Sequence, residues 1–241
     1  MTPKGIFRGG NMTGYGYKIG RVILPLLLHT AISFGVAFAA GILKSMNGLP
    51  GTVGTVLNGS DSTLVTVVTA AVSLPVFWNI WKKDRVQFPL KENKKAVPCW
   101  IYATAFLGGI LASCAGSYFM DLVGIEQYFS NRVQEELLSA GFWLQVFGLG
   151  MIVPILEELL YRGVMYQRLR EFLAVKPAIV SAALIFALAH GNMIQFLYAL
   201  PMALILHLLC EKSGKLTVPI LFHMGANLIS VFINYYSRFI H

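Results

Sequence analysis

Two adjacent glutamates, Glu157 and Glu158, close an apolar run that begins at Ala140. Ionisable side chains in such a run are costly to insert and mark functional sites by default. Read as a helix, Glu158 and Arg162 lie four residues apart on one face, glutamate first, the favourable order for a charge pair. Glu157 points about 100° away and cannot share that arginine equally. The stretch 154–163, P-I-L-E-E-L-L-Y-R-G, therefore offers one carboxylate with a built-in partner and one without. A carboxylate without a partner is free to act as a general base or acid. The plainer alternative is a paired-charge staple at the membrane edge.

Few other polar groups interrupt the apolar segments. His190 ends F-A-L-A-H, with Phe186 one turn earlier, and His223 and Asn227 share a face in H-M-G-A-N. Alone, each reads as an interhelical hydrogen bond. Together with Glu157 they put a carboxylate, two imidazoles and an amide on three helices, and polar groups in a membrane bundle face its interior. Two reaction plans suit the set. In the first, Glu157 and His190 activate a water while His223 and Asn227 donate to the oxyanion of a tetrahedral intermediate. In the second, Glu157, His190 and His223 hold a divalent metal that activates the water. The chain has no H-E-x-x-H pair, and Glu158 is assigned to Arg162. The first plan is preferred, with no cofactor, and the metal stays as the alternative. Both hydrolyse a polar bond inside the membrane boundary without a serine or cysteine nucleophile. Cys99, Cys114 and Cys210 lie in apolar segments and read as packing residues, as does the lone His29.

The elements that must position these groups are membrane spans. The chain has 241 residues, 56% hydrophobic and 12% charged, which indicates an all-α polytopic membrane protein in one domain, 1–241. Apolar runs at 22–43, 62–81, 99–120, 140–161, 178–190, 193–210 and 216–235 give about seven spans, the fifth of them short. Residues 1–21 read as a cytoplasmic arm, 44–61 as a Gly-rich linker, and 121–139 as a short amphipathic helix on the outer surface. Gly109, Ala112, Ser113 and Gly116 form a small-residue face for close packing. Sixteen of the 19 Lys and Arg fall in 1–21, 82–96, 162–176 and 211–215, and only Lys44, Arg132 and Arg238 lie elsewhere. That asymmetry predicts a cytoplasmic N-terminus. It also accounts for the net charge of +8 without a nucleic-acid partner.

Three motifs, E-E-x-x-x-R at 157–162, F-x-x-x-H at 186–190 and H-x-x-x-N at 223–227, resemble the CAAX-protease and bacteriocin-processing family. This is the Abi-type group of intramembrane endopeptidases related to the Rce1-like prenyl-protein proteases. The resemblance covers about 154–228 and marks 140–235 as the catalytic helices. It implies that Glu157 activates water with His190 as partner, that His223 and Asn227 stabilise the oxyanion, and that Glu158 and Arg162 support them. It implies a peptide or membrane-anchored protein as substrate, in a multi-pass protein of the cell membrane with its active site facing the cytoplasm. A scarcely catalytic bacteriocin self-immunity protein is the alternative. A small transporter is disfavoured, because no inverted repeat or pair of broken helices is visible. One geometric demand follows. His190 lies roughly 18 Å along a straight helix from Ala178, whereas Glu157 is expected near the cytoplasmic face. Joining them requires that helix to begin in the cytoplasm or to tilt strongly.

Overall fold

A computed structural model describes residues 14–45, 51–87, 96–129 and 132–240. Among these the chain is helical, without strands. The helices are α1 (Tyr15–Ser45), α2 (Gly51–Gln87), α3 (Cys99–Val123), α4 (Arg132–Leu137), α5 (Phe142–Arg170), α6 (Val175–Leu188), α7 (Met193–Ser213) and α8 (Thr217–Ile240). Six of them, α1, α2, α3, α5, α7 and α8, are long and apolar enough to cross a bilayer. The short fifth of the expected spans is α6, which has only 14 residues. The protein is a multi-pass, all-α membrane protein.

The axis of the bundle is α5. Of its apolar window 56% is buried, against 11% for α1, so α5 is the more enclosed helix while α1 presents Phe34 and Phe38 outward. The helix does not end at Tyr161. Leu159, Leu160, Val164, Met165 and Tyr166 are all buried, so apolar contact carries it on to Arg170. Two stretches of α5, Gln145–Ile152 and Glu158–Met165, are π-helical, an unusual winding that recurs at functional sites. Its last turn is anchored electrostatically. Arg168 bonds Asp84 of α2 at 2.7 Å and the Arg21 carbonyl at 2.5 Å, while Arg21 pairs with Glu171 at 2.6 Å. Arg21 and Arg168 thus tie α1, α2 and α5 together at the basic end of the bundle.

The small-residue face of α3 packs as its spacing predicts. A Cβ on Gly109 would overlap the Phe222 carbonyl of α8, and one on Gly225 would overlap the Phe106 carbonyl of α3. Only glycine permits that approach. Ser113 and Ser230 then meet at 3.1 Å across the same seam.

Three segments differ from expectation. Residues 15–21 are the first turns of α1, and the rest of the anticipated arm, 1–13, lies outside the described residues. Residues 51–61 belong to α2 instead of a linker, with 46–50 outside the described residues, as is the basic stretch 88–95. The outer segment 121–139 is not one amphipathic helix. Gly124, at φ 65°, closes α3 by a left-handed cap that returns its N–H to Asp121 and Met120. A 3-10 turn, Ile125–Gln127, and the six-residue α4 follow.

Candidate active site

The geometric demand is met by the length of α5. From Glu157 to Arg170 the chain runs about 20 Å along α5, and from Val175 to Leu188 it returns about 20 Å along α6. Glu157 therefore sits deep in the bundle instead of near its basic face, and α6 brings His190 back to the same depth. No steep tilt is needed.

Glu157, His190, His223 and Asn227 all line one cavity of about 220 Å³. The two adjacent glutamates divide as the helical wheel predicts. Glu158 is fully buried, and the Glu157 side chain is 25% exposed. Glu158 Oε1 accepts from Arg162 Nη1 at 2.9 Å. The same oxygen lies 2.8 Å from His223 Nδ1. The expected pair is thus a triad, and the assignment of Glu158 to Arg162 alone is corrected: one carboxylate oxygen serves both α5 and α8. On the far side of the imidazole, His223 Nε2 is 3.6 Å from Glu157 Oε2. His223 is the imidazole nearest Glu157. No hydrogen bond joins Glu157 to His190 among the described residues.

Partner chemistry fixes where the protons sit. His190 Nδ1 is 2.9 Å from the Phe186 carbonyl, which can only accept, so Nδ1 carries the hydrogen. A neutral His190 then has its lone pair on Nε2. An ionised Glu158 likewise draws the Nδ1 hydrogen of His223, which leaves Nε2 to donate only when that ring is protonated. Asn227 Nδ2 donates to the Leu149 carbonyl at 3.0 Å, inside the first π-helical stretch. Its second N–H is not used by that bond. Phe186 spaces the group: its ring lies 4.3 Å from the Arg162 guanidinium and 4.8 Å from the His190 ring. Glu157, His190 and His223, the donors of the metal alternative, do not stand together as a three-ligand set among the described residues.

Two buried polar neighbours, His207 and Gln145, were given no role by the sequence reading. His207 is fully buried beside Tyr166, its Nδ1 2.7 Å from the Ala203 carbonyl. An ionisable residue within the apolar run 193–210 is itself a signal that would have found it. Gln145, also fully buried, donates Nε2 to the Leu138 and Ala140 carbonyls at 2.9 and 2.5 Å. It ties the connection before α5 onto the helix.

Arg162, Met165, Tyr166, His207 and Val218 are each no more than 1% exposed. The cavity holding Glu157 is also lined by Thr66, Gln134, Leu138, Gln195 and Leu206. A separate cavity of about 290 Å³ is lined by Trp81, Arg85, Arg170, Glu211 and Lys215.

Comparison with known proteins now bears on this arrangement. Residues 139–229 match the family described as type II CAAX prenyl endopeptidase Rce1-like, a segment that contains all three motifs and every candidate residue. Residues 139–229 are thus similar to the Rce1-like family. A relative, the membrane-embedded CAAX protease MroQ of Staphylococcus aureus (strain USA300), is 25% identical over 167 residues, covering 67% of this chain and 68% of MroQ. No solved structure matches the chain. That similarity supports a CAAX-type intramembrane protease, a peptidase acting on peptide or protein substrates in the membrane.

Proposed function

We infer that the chain is an endopeptidase in which Glu157 and His190 activate a water inside the bundle. The observation that carries this reading is the convergence of Glu157, His190, His223 and Asn227 on one cavity. Glu157, an acceptor when ionised, and His190 Nε2, the lone-pair nitrogen of a neutral ring, can take the proton of an attacking water. The water oxygen bonds to the peptide carbonyl carbon, and the carbonyl oxygen becomes an oxyanion. Asn227 Nδ2 and a protonated His223 Nε2 are the donors for that charge. Collapse breaks the C–N bond, and the proton taken from water passes to the leaving amine. Glu158 and Arg162 act as supports: the carboxylate orients His223, and the guanidinium neutralises the carboxylate.

The whole chain, 1–241, forms one membrane domain in this reading, with 140–235 as its catalytic helices and the N-terminus on the cytoplasmic side of the cell membrane. The distribution of Lys and Arg supports that orientation. The test is cleavage of a panel of quenched, acyl-anchored peptides by the purified protein. Internal cleavage by the wild type, lost in Glu157→Gln, is the expected result. A panel left intact by well-folded wild type would favour the self-immunity alternative.

A further inference from the structure

We propose that the cavity at the basic end of the bundle binds the phosphate headgroup of an anionic membrane lipid. This site is separate from the one that holds Glu157. It depends neither on the proteolytic reading nor on which side of the membrane the basic end faces.

The cavity has a floor and a rim. Gly163 and Cys210 are buried at its base, whereas Arg85, Glu211 and Thr217 are exposed at its edge. It holds about 290 Å³, near the lower bound of roughly 300 Å³ for small-molecule sites, which suits a headgroup and not a whole lipid. Its charge is one-sided. Arg85, Arg170 and Lys215 line it against a single acid, Glu211. That acid is already engaged: Oε2 accepts from Tyr166 at 2.7 Å, and Oε1 lies 3.4 Å from Arg170 Nη2. Arg170 also donates Nη1 to the Leu173 carbonyl at 2.9 Å, which holds the guanidinium in place. The Lys215 ammonium has no anionic partner among the described residues. Three cations against one acid leave an excess of positive charge in a partly enclosed space, and such a space attracts phosphate.

Position decides which phosphate. Four spanning helices end around the cavity: α2 at Gln87, α5 at Arg170 and α7 at Ser213, while α8 begins at Thr217. The cavity therefore lies at the depth of the headgroups, where basic pockets between spanning helices hold anionic lipids. Trp81 forms one wall, and its ring is 4.8 Å from that of Trp78, which is 45% exposed. An exposed tryptophan at the end of a span marks the boundary between acyl chains and headgroups. The Arg85 guanidinium lies 4.8 Å over the Trp81 ring, so a cation and an apolar face stand side by side. A lipid uses both, its phosphate on the cations and its upper chains on the tryptophans. A free phosphate uses only the first. Gly163 belongs to the second π-helical stretch of α5, so a bound headgroup braces the segment that carries Arg162.

The test uses the purified full-length protein in neutral detergent with equal amounts of phosphatidylglycerol and phosphatidylcholine. Native mass spectrometry reads the retained lipid, and the thermal midpoint reads its effect. One phosphatidylglycerol should be retained in preference to phosphatidylcholine, with a rise in midpoint that saturates. Lys215→Gln should weaken that adduct about fivefold or more, the effect of one basic residue at a membrane surface. Lys212→Gln removes the same charge from an exposed side chain outside the lining and should leave the adduct nearly intact. If Lys215→Gln lowers the midpoint without lipid, Arg85→Gln at the exposed rim provides the same comparison. Inorganic phosphate alone forms the third arm and should raise the midpoint far less than phosphatidylglycerol. Equal retention of the two lipids would overturn the proposal, as would equal weakening by the cavity and control variants. A midpoint rise with inorganic phosphate that matches the lipid's would overturn it too, leaving a site for small anions.

Discussion

His223 Nδ1 stands 2.8 Å from Glu158 Oε1, an oxygen that also accepts from Arg162 at 2.9 Å. One buried carboxylate thus orients a cavity imidazole and neutralises a buried cation. Removing one partner of such a buried pair costs about 3–5 kcal/mol, because the other charge is left without compensation. Arg162→Ala should therefore lower the folded yield and the thermal midpoint in detergent, whereas Glu157→Gln should change neither appreciably. Equal midpoints for the two variants would contradict the supporting role given to Arg162.

Glu158→Gln separates orientation from charge. The amide keeps the shape, and its oxygen can still accept from both partners, but it no longer balances the charge of Arg162. Turnover should fall along with thermal stability. Pairing Glu158→Gln with Arg162→Met, which removes the cation as well, should recover stability while turnover stays low. Full recovery of turnover in the double variant would show that His223 does not depend on Glu158 for its placement.

Asn227 is expected to act on rate more than on folding. Its bond to Leu149 is a single neutral one, worth about 0.5–1.5 kcal/mol. Loss of an oxyanion donor typically lowers kcat by about 10²–10³. Asn227→Ala should show that larger kinetic loss with a small change in thermal midpoint, read by steady-state kinetics on a cleaved peptide. A kcat within a few-fold of wild type would remove Asn227 from the oxyanion role.

His190 should behave as a base and not as a packing residue. Its ring is partly exposed to the cavity, and general-base assistance contributes typically about 10²–10⁴ in rate. His190→Gln should lower kcat by a factor in that range with the KM little changed. A variant that alters KM alone would place His190 in substrate binding.

Much of this arrangement was legible because helical periodicity alone brings Glu158 to Arg162 and His223 to Asn227. The small-residue face of α3 was legible for the same reason. What connects α5 to α8 was not. Glu158 and His223 lie 65 residues apart, and an i,i+4 partner hid the fact that one carboxylate oxygen can accept twice. The end of α5 was misread because Arg168 and Arg170 look like part of a solvated loop. In the fold Arg162 is buried against Glu158, Arg168 pairs with Asp84 and Arg170 lies 3.4 Å from Glu211. That extension does not show in a hydropathy trace, whereas the shortness of α6 does.

The central claim is that Glu157 activates the water. The measurement that tests it most directly is kcat for wild type and Glu157→Gln on one cleaved peptide, at equal amounts of folded protein after exhaustive chelation and a metal assay. The account predicts that chelated wild type keeps its turnover and that Glu157→Gln loses it by a factor of about 10² or more. Turnover retained by Glu157→Gln would contradict the account, as would wild-type turnover that vanishes on chelation and returns with zinc.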